Sequence, residues 1–269
     1  MPRFRASGAD LYYEVHGTGQ PILGIHGTPS SALLWLDAAR ELATVGRCII
    51  YDRRGFFRSE LPWPVTTLDL DDHIADAVAL LDGLDASPAV IVGRSTGGQI
   101  ALGLASRHPD RVTALVLLEP ALFSIDPAAA DWAGRLRADV LWAASENPAS
   151  AAEVMIRTAL GDQDWEQLPA ELARMLGQTS PAVLAEMGGH GLDLSADPLE
   201  LTADDLAAID RPTLLVSAED SPRVLRTVRA SLAEGLPDAE LVEVTGGHLI
   251  HPAHPAVLEF LGRVLGHQN

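Results

Sequence analysis

Residues 89–102 read Ala89-Val90-Ile91-Val92-Gly93-Arg94-Ser95-Thr96-Gly97-Gly98-Gln99-Ile100-Ala101-Leu102. The first four residues form an apolar run of strand type, and the last four suit a helix. Between them stands Gly-x-Ser-x-Gly. A serine on so tight a junction is held on a strained turn, and glycines two before and two after let strand and helix backbones approach each other. Thr96 then presents its backbone N–H at a helix start, where donors are unsatisfied and the dipole favours an anion. The bare five-residue pattern is weak. Its strand-to-helix setting separates it from an ordinary turn that happens to contain serine.

Outward from this junction, short apolar runs bounded by turn residues alternate with segments of helical period, which predicts an α/β fold around a mostly parallel central sheet of about eight strands flanked by helices. Leu11 to Val15 and Pro21 to Ile25 flank Gly17-Thr18-Gly19 and read as an antiparallel opening pair. Further runs lie at Cys48 to Tyr51, Ala114 to Leu118, Thr213 to Val216 and Leu241 to Val244. Such near-continuous Val/Ile/Leu runs suit strands covered on both faces. Ile74, Ala77, Val78 and Leu81 fall at i, i+3, i+4 and i+7, as do Val257, Phe260, Leu261 and Val264, so both sets predict amphipathic helices. Asp69, Asp71 and Asp72 suit the start of the first of these helices, where carboxylates complement the dipole. Residues 123–210 carry no strand-like run and read as a helical insertion between two core segments, 1–122 and 211–269.

Composition narrows the chemistry. The chain has 269 residues and a formal charge of −18, and every one of its 19 basic residues is arginine. Without lysine there is no Schiff-base nucleophile and no Gly-x-x-x-x-Gly-Lys phosphate loop. The negative charge opposes extended contact with polyanions, so neither nucleic acid nor a membrane is an expected partner. The single cysteine, Cys48, sits in an apolar run and reads as a core residue. The N-terminus lacks an apolar export segment, and cytoplasmic location is the expectation.

Serine is a poor nucleophile unless an imidazole takes its proton. His248, in Val244-Thr245-Gly246-Gly247-His248 after the last strand, is the candidate base. His26, in Gly24-Ile25-His26-Gly27-Thr28-Pro29, reads instead as a loop-shaping residue. A tetrahedral intermediate needs two donors, and the Thr28 backbone N–H is placed to supply the one that complements Thr96. His248, His251 and His254 recur at intervals of three, but Pro252 and Pro255 disrupt a common helical face and no metal-ligand motif accompanies them.

Four motifs in this order, His26-Gly27-Thr28-Pro29, then Tyr51-Asp52-Arg53-Arg54-Gly55-Phe56-Phe57-Arg58-Ser59, then Gly93 to Gly98, then Gly246-Gly247-His248, resemble those of the α/β-hydrolase family over nearly the whole chain. The resemblance implies that residues 123–210 form the helical cap and that Asp52 to Ser59 is a structural turn. A serine at 95 speaks against the dehalogenase and epoxide hydrolase branches, which use aspartate there. The triad acid departs from the usual pattern. Most relatives carry it after the penultimate strand, and there this chain has Ser217-Ala218-Glu219-Asp220-Ser221-Pro222, with Ser221 where the aspartate belongs and Asp220 one residue early. Glu119, at the end of the strand Ala114 to Leu118, is the alternative and the preferred candidate, because some relatives place their acid there. Asp220 stays open as its rival.

The expected protein is a metal-independent, cofactor-free serine hydrolase of a carboxylic ester or lactone, with Ser95 as nucleophile, His248 as base, Glu119 as acid and Thr28 and Thr96 as oxyanion donors. Carbon–carbon bond hydrolysis, cofactor-free perhydrolysis and a low-turnover ligand sensor are the rival readings. The partner is a small molecule, neutral or apolar unless an arginine faces the pocket, and a homodimer is compatible with the reading. Arg94 reads either as an ion pair behind the nucleophile turn, the preferred reading, or as a contact to a substrate carboxylate. Trp35, Trp63, Phe56, Phe57, Trp132, Trp142 and Trp165 are candidate pocket aromatics.

Overall fold

In the computed structural model, which describes residues 2–6, 8–61 and 66–266, the apolar runs are strands of one sheet. The strands are β1 (Arg3–Ala6), β2 (Ala9–His16), β3 (Pro21–Ile25), β4 (Arg47–Tyr51), β5 (Ala89–Arg94), β6 (Val112–Leu118), β7 (Thr213–Ala218) and β8 (Ala239–Val244). Among the described residues the sheet has eight strands in the order β1-β2-β4-β3-β5-β6-β7-β8. β1 and β2 run antiparallel to their neighbours, and β4, β3, β5, β6, β7 and β8 are mutually parallel.

The expected antiparallel pairing of the two opening runs is not what forms. β2 pairs with β1 and β4, whereas β3 lies between β4 and β5. The turn between them is tightly built but closes no hairpin. Gly17 (φ +74°) and Gly19 (φ +103°) take backbone conformations that side chains disfavour. A Cβ on Gly17 would press on the carbonyls of Ala43 and Gly46, and Arg47 N–H donates to Gln20 O at 2.8 Å. The turn therefore carries the chain past the start of β4, and β4 takes the place between β2 and β3. The short β1, Arg-Phe-Arg-Ala, has one large apolar residue and no signal above the turn noise.

Alternation along the central strands sends successive side chains into two cores. Leu23, Ile49, Ile91 and Leu115 pack with α2 (Leu70–Gly83, which follows the shorter α1, Leu36–Leu42) and with α3 (Thr96–Arg107). Ile22, Ile50, Val90, Val116 and Leu118 pack on the other face with Trp35, with α1 and with the last helix, Pro255–Gly266. Each fully buried Leu, Ile or Val side chain contributes about 1.5–3 kcal/mol of transfer free energy, so this double-sided burial holds the strand ends in place. Cys48 is one of these core residues; it is free, and burial pushes its thiol up to about 12. Asp69 stands at the N-cap of α2, and Asp72 Oδ2 accepts the Asp69 N–H at 3.1 Å, the expected acidic start.

Between β6 and β7 the described chain is helical: α4 (Pro127–Glu146), α5 (Ala151–Leu160), α6 (Asp162–Glu166), α7 (Ala170–Gly177), α8 (Ser180–Gly188) and α9 (Ala203–Ala207). After β7 comes α10 (Arg223–Gly235), and α11 (Pro255–Gly266) closes the described chain. Among the described residues no helix is long and apolar enough to cross a membrane.

Candidate active site

The C-terminal ends of β3, β5 and β6 converge on Ser95. Its backbone is strained, with φ +54° and ψ −123° at the junction of β5 and α3. Such a conformation persists only where the surroundings impose it. Here a Cβ on Gly93 would collide with the Gly97 carbonyl, and one on Gly97 with the Ile25 carbonyl, so only glycine admits the close crossing of strand, helix and the 24–29 loop. Ser95 N–H donates to Leu118 O at 3.0 Å and Ala121 N–H donates to Ser95 O at 3.0 Å, which clamps the turn to the end of β6.

Glu119 is the first residue past β6 and is also left-handed, with φ +46°. Its carboxylate is buried and fully engaged. Oε1 accepts the Ala218 N–H at 2.9 Å, and Oε2 accepts the Ser221 hydroxyl at 2.8 Å and lies 2.7 Å from His248 Nδ1. Asp220 is exposed and, among the described residues, makes no hydrogen bond or ion pair with His248, although its N–H donates to Gly246 O at 2.9 Å and so helps hold the loop before His248. Ser221, at the place where relatives carry the acid, supports the other carboxylate. His248 Nδ1 faces Glu119, and the histidine lines the same cavity as Ser95.

The two threonines expected to supply backbone donors flank the serine. Among the described residues neither Thr28 N–H nor Thr96 N–H has an acceptor. Gly27 brings the first of them close, since a Cβ there would sit 3.0 Å from Ser95 Cβ. Both threonine side chains are tied to carboxylates of the segment between β6 and β7, a feature absent from the sequence reading. Thr28 Oγ1 donates to Glu186 Oε2 at 2.7 Å, and Thr96 Oγ1 donates to Asp193 Oδ2 at 3.1 Å. Glu186 is itself held by Arg53 and by His73 Nε2 at 2.9 Å. Burial would raise the Glu186 carboxyl, but the Arg53 guanidinium and His73 outweigh it and draw the group down to about 2. For Asp193, burial first and then the Glu186 charge outweigh the Thr96 hydrogen bond and the charge of Arg53, and push the carboxyl up to about 7. No spacing rule in one sequence links residues 158 or 97 positions apart, so these partners left no signal.

His26 is a framework residue. Its Nε2 accepts the Arg53 N–H at 2.9 Å and its Nδ1 lies 2.8 Å from Gly27 O, which makes Nδ1 the protonated nitrogen. Burial and the Arg53 charge hold the ring well below the usual histidine range, so it stays neutral. Asp52 accepts from the Ala32 and Arg58 backbone N–H groups, and Arg54 pairs with Asp72 and Asp76, so this turn is occupied with its own framework. His254 Nδ1 accepts the Ala256 N–H, and among the described residues no group of three potential ligands converges on a metal position.

Among the described residues the ion pair preferred for Arg94 does not form, and its Nη1 donates to Ile250 O at 3.3 Å instead. Glu119 and Asp193 are engaged by His248, Ser221 and Thr96.

The cavity over Ser95 measures about 300 Å³ and is walled largely by apolar side chains, among them Leu136, Met155, Leu172 and Leu176 of the intervening helices. Of the candidate aromatics among the described residues only Trp132 lines it, joined by Phe123, which the sequence pattern did not mark; their ring centroids are 5.2 Å apart. Trp35 and Phe56 are buried in the core, Phe57 and Trp142 face outward, and Trp165 packs in a satellite cluster. Trp63 lies outside the described residues.

Residues 20–255 match the sequence model of the alpha/beta hydrolase fold family. RutD of Azorhizobium caulinodans, provisionally named a carbamate hydrolase, is 30% identical over 96% of this chain and 95% of its own. Lipase LipV of Mycobacterium tuberculosis is 31% identical over 91% of this chain and 94% of its own. Among solved structures, Est816, described as an N-acyl homoserine lactone degrading enzyme, covers 100% of both chains with a TM-score of 0.72 at 27% identity.

Proposed function

This chain belongs to the α/β-hydrolase family, and from that premise we propose that it is a serine hydrolase that cleaves a carboxylic ester or lactone through an acyl-enzyme. The observation that carries the reading is the strained Ser95 at φ +54° in the wall of a cavity it shares with His248, whose Nδ1 lies 2.7 Å from the buried Glu119 carboxylate. Names borne by relatives, a lipase and a lactone-degrading enzyme, fit the same substrate class.

The chemistry follows from the residues. Ser95 Oγ attacks the carbonyl carbon while His248 Nε2 takes its proton. Glu119 keeps Nδ1 as the protonated nitrogen, so Nε2 presents its lone pair, and the carboxylate stabilises the imidazolium. The Thr28 and Thr96 N–H groups receive the oxyanion, the locus where preorganised donors act most strongly. Collapse expels the alkoxide, which His248 protonates. A water deprotonated by His248 then attacks the acyl-enzyme, and Ser95 recovers its proton as the acid leaves. In this reading helices α4 to α8 act as the cap, and their Leu and Met side chains hold the apolar body of the substrate.

The test is a panel of p-nitrophenyl esters, lactones and a vinylogous diketone, run with the wild type and Ser95→Ala. Ester or lactone turnover is expected to fall by about 10⁴-fold or more in the variant, since little beyond the oxyanion donors would remain. A fluorophosphonate is expected to label Ser95 stoichiometrically. Ester turnover that survives in Ser95→Ala, or turnover confined to the diketone, overturns the reading. Labelling without turnover of any substrate points to a sensor instead.

A further inference from the structure

Arg94 is 7% exposed and lies in the wall of the Ser95 cavity, immediately before the nucleophile. Its surroundings differ from those of the other buried arginines. Arg53 is paired with Glu186, and Arg54 with Asp72 and Asp76. Arg94 instead donates Nη1 to Ile250 O at 3.3 Å and stacks 5.7 Å from the Trp35 ring centroid, and among the described residues no carboxylate pairs with it. Burial lowers it to about 10 with no acid pulling back, so it remains a cation at neutral pH.

A buried charge without a counter-charge is unfavourable, and removing the partner from such a pair is more damaging than removing the pair. Arg94 is in that condition whenever the cavity is empty. The same wall holds Ser30, whose hydroxyl is buried without a hydrogen-bond partner. Among the described residues the one carboxyl group lining the cavity is Asp193, which is bonded to Thr96 and pushed towards its neutral form, so it leaves the arginine's charge uncompensated. A planar guanidinium with free N–H groups matches a carboxylate, which takes two parallel hydrogen bonds from it.

Resting on the assignment of Ser95 as an ester-cleaving nucleophile, we propose that Arg94 is the specificity-determining residue of an anion subsite, and that the preferred substrates are esters or lactones that bear a free carboxylate close to the scissile carbonyl. Arg94 and Ser95 line the same cavity of about 300 Å³, which confines a carboxylate bound by the one and a carbonyl attacked by the other to a single small molecule, such as a half-ester of a short dicarboxylic acid. The apolar remainder of the substrate lies against Phe123, Leu172 and Leu176.

The experiment compares kcat/KM for phenyl hydrogen glutarate and for its neutral methyl ester, with uncatalysed phenol release subtracted, in the wild type, Arg94→Met and Arg94→Lys. The wild type is expected to prefer the half-ester, and the ratio of the two values is expected to fall by about 10- to 100-fold in Arg94→Met, the scale of one charge-assisted contact, with Arg94→Lys between. A wild-type ratio near one, or a ratio unchanged in Arg94→Met, overturns the proposal and leaves ester hydrolysis standing. Calorimetry on Ser95→Ala with glutarate and glutaramide reads the subsite without turnover and without any Arg94 variant. Selective glutarate binding supports the subsite even if no ester is cleaved, and equal or absent binding of the two overturns it.

Discussion

Ser95 and Glu119 are both non-glycine residues at positive φ, and both stand one step beyond the end of a neighbouring central strand. Backbone strain of this kind costs about 1–3 kcal/mol per residue and is tolerated where packing imposes it. The clamp from Leu118 O to Ser95 N–H and from Ser95 O to Ala121 N–H imposes it on both at once. Glu119→Gln is expected to leave folding largely intact and to lower kcat by about 10²- to 10⁴-fold, because an amide can present its N–H to His248 and reverse the tautomer; steady-state kinetics with a circular dichroism control reads this. A second expectation concerns Asp193. Its folded value of about 7 lies above that of an unfolded aspartate, so the folded state binds the extra proton and stability declines as pH rises from about 4 to 7. Asp193→Asn removes that dependence. Its melting temperature relative to wild type is expected to climb across this window and to level off above it; a difference independent of pH would show that Asp193 is already ionised.

At the scale of elements, the candidate oxyanion donors are attached to two parts of the chain. Their backbones follow the C-terminal ends of β3 and β5, Thr28 in the loop after β3 and Thr96 as the first residue of α3, whereas their side chains are bonded to Glu186 on α8 and to Asp193 just beyond it. The Arg53–Glu186 pair is buried at both ends, with side-chain exposures of 0% and 5%. Glu186→Gln leaves Arg53 without its charge partner, and a loss of about 3 kcal/mol is expected from chemical denaturation at pH 7. The same variant is expected to lower kcat by shifting Thr28. The Glu186 carboxyl is drawn down to about 2, so its stabilisation is complete above about pH 4.5 and is lost as pH falls towards 2; the deficit of the variant should shrink over that range. The strands show what a local reading can and cannot reach. β3, β5 and β6 are legible because burial on both faces makes them apolar throughout. The pairing of β2 with β4 is not, because it depends on where the turn at Gly17 meets the loop at Gly46, a contact between residues that no local pattern connects.

For the whole molecule, a charge of −18 spread over arginine-only pairs means that self-repulsion opposes the compact state. Screening shortens that repulsion to about 10 Å at 0.1 M salt, so the melting temperature at pH 8 is expected to rise between 10 mM and 500 mM sodium chloride; a fall would assign the surface pairs the larger share. What the sequence determined by itself was the family, the order of strands β2 to β8 and of helices α2, α3 and α11 along the chain, and the identity of the serine, histidine and threonine candidates, because each lies in a pattern a few residues long whose spacing has a local mechanical cause. Tertiary structure alone decided which carboxylate meets the His248 ring, that Ser221 supports that carboxylate, that Glu186 and Asp193 hold the two threonines, and that Arg94 has no counter-charge among the described residues. The hydrogen bonds among these residues join positions 97 to 158 apart in the chain, fixed in three dimensions, and periodicity along one chain carries no trace of them.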